Sequence, residues 1–316
     1  MSTFRRPRLL SRATALGAVM AACRLTGLSR AALHAMLEKE ASPGTRAKVF
    51  AGYEPTEHDV FAAVFHKSGT NWLLQIVQQI AWLGEAEFDH IHDVVPWPEA
   101  PFPGVVGLDD PARAASTPSG PRAIKTALGA QFVPYSEKAK YLHLVRDPKE
   151  VAVSSYIFIT GVLGLRRQVS LEHWLTLFTG GAEHGAWPAH TAGFWAWRDR
   201  PNVLSLQFAE LKCDLPGNVR RIADFLGVEL TDAQTKRVEE RASFAWMKQN
   251  EDRFGPPLLP FVAERDRPLM IRRGVAGGSG ELLSRAQQAE IDRHCMTELS
   301  RLGSDFPYRD LFDVVE

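Results

Sequence analysis

The chain has 316 residues, of which 45% are hydrophobic and 23% charged, the composition of an ordinary soluble globular protein. Lys plus Arg and Asp plus Glu both number 37, so no overall charge attracts nucleic acid or an anionic membrane, and any anion site must be built locally. The three cysteines, Cys23, Cys213 and Cys295, are far apart and form no C-x-x-C pair. This pattern argues against a disulfide framework or a zinc site and suits a reducing, cytoplasmic compartment.

The N-terminal segment has a composition of its own. Three early arginines precede a small-residue apolar stretch, in the weak outline of a signal sequence. The stretch ends at Arg24, short of the roughly 20 apolar residues that cross a bilayer. Because apolar positions continue beyond Arg24 near helical spacing, we expect one or two amphipathic helices over residues 9–40. We therefore divide the chain into an N-terminal helical extension, 1–45, and a main domain, 46–316, with secretion or peripheral membrane attachment as the alternative interpretation.

Short apolar runs alternate with helical segments along the main domain, which predicts an α/β fold with a central parallel sheet flanked by helices. The predicted strands are Val60–Phe65, Arg122–Thr126, Tyr141–Val145 and Val203–Gln207. The predicted helices after the first, third and fourth strands cover residues 72–83, 148–158 and 216–226. Two stretches rich in Pro and Gly, 93–121 and 250–280, are expected to be site walls or covers, so we predict a single domain.

A phosphate-binding turn follows the first predicted strand, where residues 66–72 read H-K-S-G-T-N-W. The free N–H groups and the dipole of a helix N-terminus favour an anion. Gly69 lets the backbone approach the ligand closely, and Lys67 adds a positive charge. In the ATP/GTP loop the lysine follows the glycines, whereas here it precedes Gly69, so the pattern does not predict a nucleotide kinase.

Further basic residues stand at the ends of other predicted elements. Ligands of an open parallel sheet bind outside the carboxyl ends of its strands, and Lys67 and Arg146 both lie at such ends. Ser154 follows Arg146 by about two helical turns and shares its helix face. With Arg272 and Arg273, these residues predict a site for an anionic ligand.

These motifs resemble those of the sulfotransferases that use 3′-phosphoadenosine 5′-phosphosulfate (PAPS). The family's P-K-S-G-T-[TN]-W is similar to residues 66–72, and its R-[ND]-P-K-[DE]-V-x-V-S to residues 146–154. Its R-K-G-x-x-G is similar to residues 272–277, and its S-F-x-x-M-K-x-N to residues 243–250. The resemblance extends over roughly residues 55–300, with the motifs in the family's order.

The resemblance implies that PAPS is the co-substrate, bound in a P-loop-like strand–loop–helix site, and that PAP is the product. Lys67 would stabilise the charge that develops on the bridging oxygen, and Lys125 joins it in the catalytic set. Because lysine and arginine compensate the charge, no metal is expected. The residues implied in binding the phosphosulfate, the 3′-phosphate and the adenine are Lys67, Ser68, Gly69, Thr70, Asn71, Trp72, Arg146, Ser154, Phe208, Phe244, Arg272, Arg273 and Gly274.

One departure from the family concerns the general base. The family's K-T-H segment reads K-T-A at residues 125–127, and Ala127 cannot accept a proton. Three explanations stay open. Another residue is the base, with His92 first and Asp93 and His90 beside it; or the acceptor is an amine or acidic phenol that needs no strong base; or transfer is weak or absent.

The sequence therefore predicts sulfuryl transfer from PAPS to a hydroxyl or amine of a small acceptor. Apolar and aromatic residues at 90–110, 157–190 and 250–270 favour a hydrophobic one. The alternative is a PAPS- or PAP-binding homologue without transfer activity. Residues 278–281, G-S-G-E, replace the family's D-W-K and remove the lysine that begins its dimer motif, so the familiar dimer is not predicted.

Overall fold

A four-stranded parallel sheet with the order β2-β1-β3-β4 lies at the centre of the described residues. The strands are β1 (Asp59–Ala63), β2 (Arg122–Thr126), β3 (Lys140–Val145) and β4 (Val203–Gln207). The computed structural model describes residues 7–102, 104–110, 117–180, 187–256, 270–272 and 277–316. The predicted strands lie within one residue of these positions, apart from the end of β1. The single α/β domain that the sequence predicts is confirmed.

Thirteen α-helices surround the sheet in the described part of the chain. They are α1 (Pro7–Thr26), α2 (Ser29–Ala41), α3 (Pro43–Arg46), α4 (Thr70–Ala81), α5 (Pro148–Val162), α6 (Leu171–Thr179), α7 (Trp187–Trp195), α8 (Phe208–Cys213), α9 (Leu215–Leu226), α10 (Asp232–Ala242), α11 (Phe244–Gln249), α12 (Arg285–Arg301) and α13 (Tyr308–Leu311). Short 3₁₀ turns lie at Ile91–Asp93, Ala130–Phe132, Glu251–Arg253 and Gly278–Glu281.

The sheet is covered on both faces, which explains why its strands are almost continuously apolar. Val60 and Ala62 pack with the apolar faces of α4, α9 and α10. Phe61 and Ala63, which point to the other face, pack against α7 and the segment 49–53. The two inner strands are therefore fixed in register by layers on either side.

Local signals set the ends of α5, the helix that carries the second basic motif. Pro148 occupies its first turn, and the Asp147 side chain accepts a hydrogen bond from the Lys149 N–H at 2.8 Å. The helix continues to Val162, four residues beyond the predicted end at Phe158. The extra turn brings further apolar residues to the wall of the site described below.

The N-terminal segment forms the expected pair of helices, α1 and α2, with Gly27 between them at a φ of 74°. Within the described residues, neither of these helices nor any other combines the length and apolar character needed to cross a bilayer. The division of the chain at residue 45 stays a prediction, and it falls within α3.

A buried ion pair joins α5 to the C-terminal part of the chain. Lys149 is 2% exposed, and its Nζ donates to Asp292 Oδ1 at 2.6 Å. The same carboxylate accepts hydrogen bonds from Tyr308 Oη at 2.6 Å and from the Val315 N–H at 2.8 Å. Asp292 is fully buried, so its charge depends on these partners.

Replacing Lys149 with Met should lower the free energy of unfolding by about 3–5 kcal/mol, because it leaves the buried Asp292 carboxylate without a counter-charge. Urea denaturation of the purified protein measures this. Lys138→Met, at an exposed position, is the control and should change stability by less than about 0.5 kcal/mol. Equal effects of the two substitutions would contradict the role given to the ion pair.

Candidate active site

The site lies at the carboxyl ends of β1 and β3, the two inner strands of the sheet. The chain continues from β1 to β2 on one side of the sheet and from β3 to β4 on the other, so a crevice forms between β1 and β3. Open α/β sheets bind their ligands in such a crevice. The turn after β1 carries Lys67, and the turn after β3 carries Arg146. Arg146 Nη1 donates a hydrogen bond to the Lys67 carbonyl at 2.9 Å. The structure thus brings together two of the basic residues that the sequence places at strand ends.

The backbone of the turn after β1 is unusual at two positions. Lys67 has a φ of 61° and Gly69 a φ of 102°, both in the left-handed region. A Cβ at Gly69 would lie 2.8 Å from Phe208 Cδ2 and 3.1 Å from Leu144 Cδ2, so glycine is needed both for its φ and for the close approach. Ser68 is fully buried. Since no side chain caps α4 at Gly69, its first N–H groups are available to an anion.

The Lys67 ammonium group lies in the cavity beside the turn. Its Nζ is 3.4 Å from Met270 Sδ and 3.8 Å from the centroid of the Phe158 ring. Both neighbours line the same cavity, so the charge of Lys67 is held over a largely apolar wall.

Two further residues of the turn hold it against neighbouring elements. Asn71 Nδ2 donates to the Phe254 carbonyl at 3.0 Å, and Trp72 Nε1 donates to the Ala242 carbonyl at 2.8 Å. The Trp72 ring also meets the Phe208 ring edge to face, with centroids 5.5 Å apart. Thr70, Asn71 and Trp72 all line the cavity.

Arg146 is held by a carboxylate and an aromatic ring. Its Nε donates to Glu150 Oε2 at 2.8 Å, and its guanidinium lies 4.4 Å from the Phe208 ring centroid. Ser154 lines the cavity one turn beyond Glu150 on α5. Glu150 Oε1 accepts a hydrogen bond from the Gly278 N–H at 3.3 Å. The 3₁₀ turn Gly278–Glu281 therefore contacts the carboxylate that pairs with Arg146.

The third basic motif is described in part. Arg272 lines the cavity and is paired with Glu281, whereas Arg273 and Gly274 lie outside the described residues. Phe244, at the start of α11, also lines the cavity and is 45% exposed.

Lys125 and His92 form a buried pair. Lys125 Nζ lies 3.3 Å from His92 Nε2 and 3.3 Å from the centroid of the Trp97 ring. His92 Nδ1 lies 3.0 Å from the Val95 carbonyl, which can only accept a hydrogen bond. Nδ1 must therefore carry the ring proton, and Nε2 accepts a hydrogen bond from Lys125.

The surroundings of this pair favour the neutral Lys125 amine and the neutral His92 imidazole. Burial, the largest influence, lowers the pKa of Lys125 to about 7, with the Glu99 carboxylate opposing the shift and the Lys67 charge adding to it. Burial first, and the Lys125 charge second, hold the pKa of His92 well below its usual value. The pKa of Lys125, a residue of the cavity wall, therefore lies near neutral pH.

The other two candidates for the base have structural partners. His90 Nε2 lies 2.9 Å from the Gly255 carbonyl, and its Nδ1 accepts a hydrogen bond from the His92 N–H at 3.2 Å. The Asp93 carboxylate caps the same 3₁₀ turn by accepting from the His90 N–H at 3.1 Å. Of the three candidates, His92 is the one that lines the cavity.

Sequence reasoning missed the contact of Glu99 with Ala127, at the position of the missing histidine. Glu99 Oε1 accepts a hydrogen bond from the Ala127 N–H at 2.6 Å, and its Oε2 is buried without a partner among the described residues. Burial raises the pKa of Glu99, against the effect of the Ala127 hydrogen bond. No sequence signal connects these two loop residues, which lie 28 positions apart.

The described residues around these groups enclose a cavity of about 930 Å³. Three of the aromatic residues expected in an acceptor pocket line it: Trp97, Phe102 and Phe158. Trp174 and Phe178 are instead buried in apolar clusters below α5, because they face inward from α6. Among the described residues no group of three or more His, Cys, Asp or Glu is placed to hold a metal ion.

Comparison with known proteins gives consistent matches. A family model described as "Sulfotransferase domain" matches residues 57–303. Sulfotransferase 2A1 of Macaca fascicularis is 31% identical over 265 residues, covering 81% of this chain and 90% of that protein. The 3-alpha-hydroxysteroid sulfotransferase of Cavia porcellus is 28% identical and covers 75% and 82% of the respective chains. A crystal structure of retinol dehydratase in complex with androsterone and inactive cofactor PAP superimposes with a TM-score of 0.66 at 22% identity, covering 84% of this chain and 87% of that chain.

Proposed function

The chain belongs to the sulfotransferase family, and we propose that it transfers a sulfuryl group from PAPS to the hydroxyl group of a hydrophobic small molecule, releasing PAP. The observation that carries this proposal is the convergence of Lys67, Lys125 and Arg146 on one cavity whose remaining walls are largely apolar. The charged part suits a nucleotide with two phosphate groups, and the apolar part suits a hydrophobic acceptor. A cytoplasmic location fits the three unpaired cysteines.

We place the 5′-phosphosulfate at the turn after β1. The uncapped N–H groups of α4 would bind its oxygens, with Ser68 and Thr70 beside them. Lys67 extends into the cavity from the same turn and would approach the bridging oxygen. Because Gly69 has no side chain, the turn can pack directly against Phe208.

We place the 3′-phosphate near Arg146 and Ser154, with Arg272, Arg273 and Gly274 completing its site. Arg146 is paired with Glu150, and a phosphate dianion would compete for the same guanidinium. Trp72, Phe208 and Phe244 provide aromatic surface for the adenine.

In the transfer step the acceptor oxygen attacks sulfur, and the bond between sulfur and the 5′-phosphate oxygen breaks. Negative charge therefore develops on that phosphate oxygen, where Lys67 stabilises the transition state more than the ground state. The hydroxyl proton must leave as the new oxygen–sulfur bond forms.

We assign that proton to Lys125, with His92 as its hydrogen-bond partner. A neutral Lys125 amine can donate one N–H to His92 Nε2 and keep its lone pair for the acceptor hydroxyl. A lysine whose pKa is lowered to about 7 is an effective base at neutral pH. In this arrangement Lys125 is the general base, and no histidine is needed at position 127.

The second candidate function is binding of PAPS or PAP without transfer. The observation that favours it is Ala127, which removes the family's base. The third possibility is sulfuryl transfer to a more nucleophilic acceptor, such as an amine, which needs no strong base. Transfer assays over phenols, alcohols and amines distinguish the three.

Lys67→Ala should reduce sulfuryl transfer by about 10²–10³-fold or more, because it removes the charge that stabilises the leaving oxygen. The measurement is incorporation of labelled sulfate from PAPS into the acceptor panel. Calorimetric titration with PAP should show that the variant still binds the nucleotide, and Lys138→Ala should behave as the parent. Full activity in the Lys67 variant would overturn the assignment. Binding of PAP by the parent with no transfer to any acceptor would establish the second function.

At saturating PAPS, kcat/KM for an alcohol should rise with pH through a pKa at or above about 7, because Lys125 must be neutral and the donor's negative charge raises its pKa. Lys125→Met should remove this dependence and lower the rate about 10²–10⁴-fold.

The His92 variants identify the proton acceptor. His92→Gln keeps an oxygen that can accept from Lys125 and should retain most of the activity, whereas His92→Ala should lose more. Equal and large losses in both His92 variants, with the pH dependence intact in Lys125→Met, would make His92 the base instead.

A further inference from the structure

We propose that the N-terminal helices α1 and α2 form the distal wall of the acceptor site and select elongated apolar alcohols. This inference rests on the proposed function and names its acceptor class. It concerns residues that precede the family match, which begins at residue 57.

The helices are a fixed part of the fold. Met20, Leu33 and Leu37 are buried in one apolar cluster with Leu163 and Trp174. At the edge of that cluster, Arg30 Nε donates to the Gln168 carbonyl at 3.0 Å. The contact couples α1 and α2 to α5 and α6, so their inner face keeps a defined position.

The same inner face lines the cavity that contains Lys67 and Lys125. It contributes Leu16 from α1, and Met36 and Leu37 from α2. Beside them, the end of α5 and the residue that follows it contribute a further apolar row: Phe158, Ile159, Val162 and Leu163. Val49 continues the wall towards the sheet. The cavity thus runs from the charged turn after β1 to an apolar end built by the N-terminal segment.

Three polar residues of this segment, Glu40, Thr45 and Arg46, also border the cavity, and a hydrogen bond joins Arg46 to Glu40. Arg46 is 6% exposed, and its Nε donates to the Glu40 carbonyl at 3.0 Å. The guanidinium thus holds the turn between α2 and α3, and Leu16, Met36 and Leu37 form the apolar part of the distal wall.

This geometry restricts the acceptor. Its hydroxyl group must lie beside Lys67 and Lys125 to react, so the rest of the molecule extends along α5 towards α2. A wall of aliphatic side chains stabilises apolar groups and penalises polar ones. The acceptor class is therefore an alcohol with a hydroxyl at one end and a long apolar body.

The test uses straight-chain primary alkanols as molecular rulers. In the parent protein, kcat/KM should rise by up to about fourfold for each methylene that is buried, until the chain reaches α1 and α2. Met36→Trp and Leu16→Trp fill the distal end, so the rise should stop at a shorter alkanol while butanol stays within twofold of the parent. Leu25→Trp is the matched control, since Leu25 lies on α1 at 91% exposure and does not line the cavity. It should reproduce the parent series.

Failure of this inference is distinguishable from failure of the proposed function. Calorimetric titration of the PAP-saturated protein with the same alkanols measures their binding at the distal wall, and this measurement does not depend on transfer. If affinity rises with alkanol length, and if the rise stops at a shorter alkanol in Met36→Trp, the inference is supported even if no alkanol is sulfated. An unchanged length dependence in both tryptophan variants, or none in the parent, overturns it. Met36→Ala enlarges the cavity and should extend the series to longer alkanols, so it tests the same wall if a tryptophan variant fails to fold.

Discussion

The hydrogen bond from Arg146 to the Lys67 carbonyl is the contact on which the site depends. It joins the ends of β1 and β3 at 2.9 Å and fixes the carbonyl of a residue whose φ is positive. A lysine in the left-handed region is strained, and it keeps that conformation only where its surroundings determine it. The same guanidinium stacks over Phe208, and Phe208 leaves no room for a side chain at Gly69. One arginine thereby orients the lysine that we propose as catalytic and shapes the turn where we propose that the phosphosulfate binds.

The balance of charge in the site follows from the same arrangement. The chain has no net charge, yet Lys67, Lys125 and Arg146 converge on one cavity. Two carboxylates that border the same cavity compensate them: Glu150 binds Arg146 directly, and Glu99 acts on Lys125. These buried negative groups offset much of the cost of desolvating the cations.

Sequence reasoning could predict what depends on local patterns. Strand ends in a parallel sheet share one edge, so the meeting of Lys67 with Arg146 followed from their positions. The pairing of Glu99 with Ala127, and of His92 with Lys125, depends on how loops fold over that edge, and no periodicity encodes it. The helical character of residues 9–40 was predictable, but their docking on α5 was not, because the pattern of an amphipathic helix does not specify its partner. The roles given to individual site residues stay predictions.

The proposed roles of Lys125 as base and of the apolar wall in acceptor binding are connected through desolvation. Burial is the largest influence on the pKa of Lys125, and that burial comes from Trp97 and the apolar surface around it. An apolar acceptor that fills the cavity excludes water from the ammonium group and lowers its pKa further, whereas the negative charge of the donor raises it. A polar or short acceptor leaves water beside Lys125, so it lowers the pKa of the amine less and leaves a smaller fraction neutral. Selection for an apolar acceptor would then act on the chemical step as well as on binding, because the molecule that fits the distal wall also lowers the pKa of Lys125.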